Sequence, residues 1–249
     1  MFRLVIALCF LALPVHAEEV VAGLSRDTVQ ITTNFDGSEI LIFGAVKRTT
    51  PLQEDMPVEV IVTVEGPSAP ITIRRKDKRF GIWVNNASVE VDMAPAFYAV
   101  ATSGPIEDVL SDVEDLRYHV SIDRAIRAVG LEREDSEAFI EALIRIKESQ
   151  DAYVTSFGSV KIEEQTLFTS AIQLPANLTE GDYKARFFLT RDGEVLDVHE
   201  TTIDVRKVGL EQFLFNLSRQ QPLIYGLMSL AIAIFAGWSA SAFFRWIRF

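Results

Sequence analysis

Apolar segments lie at both ends of the chain, and a charged, alternating sequence separates them. Leu4–Leu13 is an uncharged run that follows Arg3, and small residues within Pro14–Ala17 complete the pattern of a cleavable signal peptide over residues 1–17. Residues 222–244 carry no charge and, as a helix, are long enough to cross the ~30 Å hydrocarbon core of a bilayer. The pattern predicts an exported domain with a C-terminal membrane anchor in contact with membrane lipid.

The two apolar segments together predict an orientation. A cleaved signal peptide carries residues 18–207 across the membrane, and the helix at 222–244, preceded by a juxtamembrane segment at 208–221, then stops transfer. The tail at 245–249 is left on the cytoplasmic side, and its two arginines agree with the positive-inside tendency. We therefore expect a single-pass protein whose N-terminal domain lies outside the cytoplasm.

Alternating apolar and polar positions predict strands in two stretches, one before residue 104 and one after residue 159. The predicted strands are Thr28–Thr32, Ser38–Val46, Val58–Val64, Ile71–Ile73, Gly81–Val84, Val89–Val91, Phe97–Ala101, Ser159–Phe168, Ser170–Leu174, Gly181–Thr190 and Glu194–Val205. Short strands joined by turns predict an immunoglobulin-like antiparallel β-sandwich, in which Tyr183 would bond back to upstream backbone at a corner. The two stretches form either one sandwich or two small β domains.

A helical period replaces the alternation between about residues 105 and 150. Five apolar residues recur at spacings of three and four, namely Ile106, Val109, Leu110, Val113 and Leu116. Ser121 can cap a short helix ending at Gly130, and residues 136–147 repeat the amphipathic pattern. The predicted fold is therefore mainly β with an α-helical insertion and a C-terminal transmembrane helix.

Charge and composition exclude several function classes. The chain has 35 acidic against 24 basic residues, and such a surface repels nucleic acid. Its one cysteine, Cys9, lies in the signal peptide, so the mature domain has no disulfide, which favours a bacterial periplasm and an inner-membrane anchor. The only mature histidines are His119 and His199, both expected to be solvated, and the adjacent carboxylates Glu18 and Glu19 are expected at the surface. We therefore predict no enzyme, metal site or cofactor.

One short segment departs from the acidic character of the domain. Arg74, Arg75, Lys76, Lys78 and Arg79 lie within six residues, with Asp77 among them and Trp83 just beyond. Basic side chains beside an exposed aromatic ring can dock an acidic partner, an anionic ligand or lipid headgroups. The alternative is a solvated hairpin with Trp83 directed into the core.

The anchor contains a candidate helix-packing stripe. Ser229, Ala233, Gly237 and Ser241 recur every four residues and would let another helix approach closely. The partner would be a membrane protein or a second copy of the chain. The alternative is that the segment is only an anchor, since small residues are common in membrane helices.

Three stretches carry a family resemblance. They are Arg74–Lys76 with Gly81–Asn85, Ala94–Ala99 and Ser103–Pro105. On these residues the chain resembles an uncharacterised family of alphaproteobacterial transmembrane proteins, over nearly the whole mature length. The resemblance implies a bacterial inner-membrane protein and assigns no catalytic residue.

Three function classes follow. The first is a periplasmic accessory or interaction protein that supports a membrane transporter or assembly. The second is a periplasmic module that binds an anionic ligand through the basic segment and Trp83. The third is a membrane-tethered hydrolase acting through His119, His199 and acidic residues. The absence of catalytic motifs favours the first.

Overall fold

The computed structural model describes residues 18–32, 35–48, 57–128 and 136–247, so the predicted signal peptide at 1–17 lies outside the described residues. The strands are β1 (Glu18–Leu24), β2 (Thr28–Ile31), β3 (Ser38–Arg48), β4 (Glu59–Glu65), β5 (Ser68–Arg79), β6 (Ile82–Pro95), β7 (Tyr98–Thr102), β8 (Tyr153–Ser156), β9 (Lys161–Glu163), β10 (Leu167–Leu174), β11 (Gly181–Arg191) and β12 (Glu194–Lys207). The helices are α1 (Ile106–Val109), α2 (Asp112–Tyr118), α3 (Ile122–Ala125), α4 (Ser136–Glu148), α5 (Leu210–Gln220) and α6 (Pro222–Ile247). The protein is mainly β, as predicted.

Ten of the strands form two sheets. Sheet 1 has the order β1-β3-β10-β9, and sheet 2 has the order β2-β12-β11-β4-β7-β8. Strand β3 pairs with β10, and β4 pairs with β11, in antiparallel register. Strands from before and after the helical segment therefore belong to the same sheets.

The central strands of sheet 2 are buried on both faces. Phe187 and Phe188 are adjacent on β11 and both fully buried. The Phe187 ring lies 6.4 Å from that of Phe168 on sheet 1, whereas Phe188 lies 5.7 Å from Tyr118 at the end of α2. Because side chains alternate across a strand, sheet 1 covers one face of sheet 2 and the helical segment covers the other.

The immunoglobulin-like sandwich predicted from the sequence is not confirmed. The sheets are curled, and helices cover a face of sheet 2 that an open sandwich leaves to solvent. β7 and β8 also pair in parallel. The predicted corner bond is present, since the Tyr183 hydroxyl donates to the Thr179 carbonyl at 2.8 Å.

The helical segment differs from its predicted single amphipathic face. The chain turns extended at Leu110, which separates α1 from α2, and Ser111 then precedes α2. This break rotates the following residues, so that Val113 and Leu116 are exposed rather than packed on the sheet. Residues 129–135, including the predicted helix end at Gly130, lie outside the described residues.

Contacts divide the chain into a β-rich unit and a second unit that contains α5 and α6. Within the second unit, Pro222–Phe243 is long and apolar enough to cross a membrane. No other helix in the described ranges meets both conditions. The predicted anchor at 222–244 therefore coincides with α6.

Candidate interaction surface

The basic segment lies in a long hairpin arm formed by β5 and β6. The sequence predicts three short strands here, but the structure pairs β5 and β6 from Ser68 with Pro95 to Arg79 with Ile82. Ile71 and Ile73 on β5, with Val89 and Val91 on β6, pack against the core near the base of the arm. We call the hairpin from Ser68 to Pro95 the arm.

The strand register divides the basic residues between two faces of the arm. Lys78 pairs with Trp83, and the bulge near Arg75 and Lys76 places its extra residue, Asn86, on β6, so the alternation along β5 is unbroken. Directly paired residues of an antiparallel hairpin share a face, and so do every second residues of one strand. Arg74, Lys76, Lys78 and Trp83 therefore share one face, which we call the cationic face.

The remaining two cations lie on the opposite face and have local partners. The Arg75 guanidinium carbon lies 5.3 Å from the centre of the Phe139 ring on α4, so Arg75 fastens the arm to that helix. Arg79 lies 3.3 Å from the Asp77 carboxylate, which also accepts a hydrogen bond from Asn86. In the described part of the chain, no ion pair engages Arg74, Lys76 or Lys78.

Large apolar side chains at the end of the arm are exposed. Trp83 is 67% exposed and Ile82 is 64% exposed, while Phe80 at the turn is fully exposed. The alternative that directed Trp83 into the core is therefore wrong. Lys78 and Trp83 form the end of the cationic face nearest the turn, because they are paired one step before Arg79 and Ile82.

The candidate stripe of the anchor lies on α6. Ser229, Ala233, Gly237 and Ser241 are exposed, and apart from its chain neighbours and the backbone of α6 itself, no described atom lies within 4 Å of a β-carbon placed on Gly237. The Ser229 hydroxyl donates to the Tyr225 carbonyl at 2.8 Å, which satisfies that polar group within the helix. The stripe is thus a smooth surface that the described chain leaves uncovered.

A polar cluster that the sequence does not predict lies between sheet 2 and α2. The Tyr98 hydroxyl donates to the Val120 carbonyl at 2.9 Å, and the Arg186 guanidinium donates to the Tyr118 carbonyl at 2.7 Å and to the His119 carbonyl at 3.2 Å. His119 adopts a left-handed conformation that ends α2 and turns these carbonyls toward the sheet. Burial raises the pKa of Tyr98 to about 12. The cluster fastens the helical segment to the sheet, and its signal in the sequence is Arg186, which directly precedes the apolar run Phe187–Leu189.

A second buried cluster corrects the expectation that Glu18 lies at the surface. The Glu18 carboxylate is 3.0 Å from Arg48 Nε and 2.8 Å from Arg191 Nη2, and only 7% of the residue is exposed. Arg48 also donates to the Gln165 carbonyl. Glu19, by contrast, is exposed beside Lys47, whose hydrogen bond lowers the Glu19 pKa. The cluster joins β1 and β3 of sheet 1 to β11 of sheet 2.

The two histidines lie on opposite sides of sheet 2. His119 ends α2 on the helical side, whereas His199 pairs with Phe187 and its ring lies 5.9 Å from that ring on the side of sheet 1. Within the ranges that the structure describes, no group of three or more histidine, cysteine, aspartate or glutamate residues is placed to hold a metal ion. The residues named for a hydrolase are therefore not assembled into one site.

The comparisons with known proteins concern the family and the fold. A family model described as "Putative transmembrane protein (Alph_Pro_TM)" matches residues 19–246. No curated protein matches the sequence. A crystal structure of Spo0M, a sporulation control protein from Bacillus subtilis, aligns over 82% of this chain with 10% identity and a TM-score of 0.31. The alignment spans 56% of the Spo0M chain. Since the family model covers nearly all of the chain, including α6, the protein belongs to this transmembrane family.

Proposed function

We propose that this protein is a membrane-anchored interaction protein without catalytic activity, and that the arm is its docking element. The observation that carries the proposal is the cationic face, where Arg74, Lys76, Lys78 and Trp83 lie side by side. Cations without an ion-pair partner beside an exposed tryptophan form a surface complementary to an anionic one. The rest of the domain is acidic, so attraction of this kind is concentrated on the arm.

The location proposed for the domain is the periplasm of a bacterium. The signal-peptide pattern at 1–17 and the two arginines that follow the uncharged segment 222–244 support an inner-membrane protein whose last residues lie in the cytoplasm. An absence of mature cysteine fits a domain that folds outside the cytoplasm without disulfides. An accessory role beside a membrane transporter or assembly fits a docking element on an anchored domain.

A periplasmic module for an anionic solute is the second candidate, and the same cations favour it. Small-molecule sites are usually concave and bury most of the ligand. Arg74, Lys76 and Lys78 instead project from an exposed strand face. An open face suits an extended partner surface better than a small solute.

Photocrosslinking in intact cells tests the proposal. A photoreactive amino acid replaces Trp83 in the full-length protein, and the matched control carries it at Leu41, which is 52% exposed on β3. We expect adducts with protein or lipid at position 83 and few at position 41. An arm that gives no more adducts than the control would contradict the interaction function.

A further inference from the structure

The turn of the arm contains an aromatic residue that neither folding nor packing explains. Phe80 has a φ of +49° and is followed by Gly81 at +88°, so the pair forms a two-residue hairpin turn with positive φ at both positions. Asparagine, aspartate and glycine are the usual first residues of such turns, and a bulky side chain there is strained. Phe80 is fully exposed, so no packing within the domain offsets that strain. Its side chain is available only for a contact outside the domain.

Apolar and charged groups are ordered along the arm. Phe80 lies at the turn, Ile82 is paired with Arg79 and Trp83 with Lys78 at the next two levels, and Lys76 and Arg74 lie farther from the turn. At about 3.3 Å per residue, these cations extend about 13 Å back along the strand. An exposed apolar turn, with cations of the cationic face beginning level with Trp83 and continuing away from the turn, matches the change from hydrocarbon to anionic headgroups at the surface of a bilayer.

We propose that the arm places Phe80, Ile82 and Trp83 in the interface of a bilayer that contains anionic lipid, while the cationic face binds the lipid phosphates. This rests on the proposed function and names its partner. The chain is a transmembrane protein, so its membrane anchor keeps the domain close to lipid. At such a high effective concentration of lipid, a small contact is enough to bind the arm to the bilayer. Acidic residues elsewhere on the domain are repelled by the anionic bilayer surface, which limits the contact to the arm.

Fluorescence quenching in vesicles tests this inference with the full-length protein. The chain has three tryptophans, so Trp238→Phe and Trp246→Phe leave Trp83 as the only one. The protein is reconstituted in phosphatidylcholine vesicles with or without phosphatidylglycerol, using brominated acyl chains as the quencher. We expect a blue shift and loss of Trp83 emission in the vesicles that contain phosphatidylglycerol, and neither effect in phosphatidylcholine alone.

Two variants separate the contact from the fold. Lys76→Glu with Lys78→Glu should abolish the quenching, whereas the matched control, Lys161→Glu with Lys184→Glu, changes charge equally at exposed positions outside the arm and should retain it. Phe80→Asn gives the turn a residue that tolerates positive φ, so the arm should fold at least as well while the quenching decreases.

Each outcome decides between the proposals. Unquenched Trp83 emission in phosphatidylglycerol vesicles, or equal quenching in both double variants, would overturn the bilayer contact. If position 83 then crosslinks to a protein in cells, the interaction function stands with a protein partner. If it crosslinks to nothing, both proposals fail.

Discussion

Glu18 joins the two sheets through a carboxylate held by two arginines, Arg48 and Arg191. Replacing Glu18 by glutamine removes the negative charge, so both partly buried guanidinium groups lose the carboxylate that neutralises them. Breaking a buried ion pair in this way costs about 3–5 kcal/mol. We expect Glu18→Gln to lower the free energy of unfolding by about that amount, measured by urea denaturation of the full-length protein in detergent.

Glu19→Gln is the matched control for this prediction. Glu19 is exposed and pairs with Lys47 at 2.9 Å, and exposed ion pairs contribute little to stability. The denaturation midpoint of this variant should stay close to that of the parent. Equal midpoints for the Glu18 and Glu19 variants would show that the cluster does not hold the sheets together.

Tyr98 predicts a dependence of stability on alkaline pH. Its pKa is raised from 10.0 to about 12, chiefly by burial. The unfolded chain therefore loses this proton at lower pH than the folded chain, so stability is retained below pH 10.0 and falls as the pH rises to about 12. Tyr98→Phe should be less stable at neutral pH, because Arg186 and the Val120 carbonyl lose a partner.

The measurement compares urea denaturation of parent and variant between pH 9 and pH 12. Over this range the raised pKa of Tyr98 corresponds to a loss of about 2–3 kcal/mol in the free energy of unfolding of the parent. The stability of Tyr98→Phe should fall less steeply than that of the parent. Tyr183 also has a pKa raised to about 12 by burial, so part of the slope should persist. Parallel slopes would contradict the assignment to Tyr98.

At the scale of elements, α6 offers a test of helix association. Gly237→Leu adds a branched side chain in the middle of the small-residue stripe, where nothing in the described chain fills the space. A closely packed neighbouring helix would be pushed away, while the segment stays apolar enough to insert. We expect loss of crosslinking and of detergent co-purification with a second copy or a membrane partner.

Leu230→Ala is the control, because Leu230 lies off the stripe and is exposed. Lipid can replace a loosely packed side chain, so association should be unchanged at matched expression. Retention of every contact by Gly237→Leu would make the stripe a feature of composition alone.

Turn chemistry explains which elements the sequence predicts. Asp192-Gly193 predicts a hairpin, and the structure confirms it between β11 and β12 with positive φ at both residues. Glu164 and Gln165 also have positive φ and separate β9 from β10, but neither residue type signals such a turn. The prediction of one continuous strand over Ser159–Phe168 therefore missed the turn between β9 and β10.

The candidate site is predictable in its residues but not in its geometry. The cluster from Arg74 to Arg79 is visible in the sequence, whereas its division into two faces depends on the register of the arm and on a bulge. Nothing in the sequence reveals that Arg75 packs on Phe139 of a distant helix. Long-range contacts of this kind decide which cations remain available.

The whole molecule allows a test of orientation. If residues 1–17 are cleaved and α6 stops transfer, a reporter that works only in the cytoplasm should be silent when fused after Lys207 and active when fused after Phe249. Protease should digest the domain only after the outer membrane is permeabilised. Strong cytoplasmic activity of the Lys207 fusion would contradict the proposed orientation.

The layering of the molecule is only partly visible in the sequence. Val58–Val64 is a β-branched run in which Val60, Ile61 and Val62 are consecutive apolar residues, which is typical of a strand covered on both faces, and residues 60–64 are all buried. The sequence does not predict which element packs on the second face of sheet 2. The helical segment does so, and this accounts for the difference from the predicted sandwich.

Pairing between the ends of the domain has a consequence for the nascent chain. Val20 on β1 donates a hydrogen bond to Asp197 on β12, 177 positions later. Such distant contacts slow folding, because residues far apart in the chain must be brought together before the contact can form. The apolar β4 pairs with β7 once that strand is made, but its other edge has no partner until β11 is synthesised. Since β12 is followed almost directly by α5 and α6, the domain can close only when its anchor is also emerging.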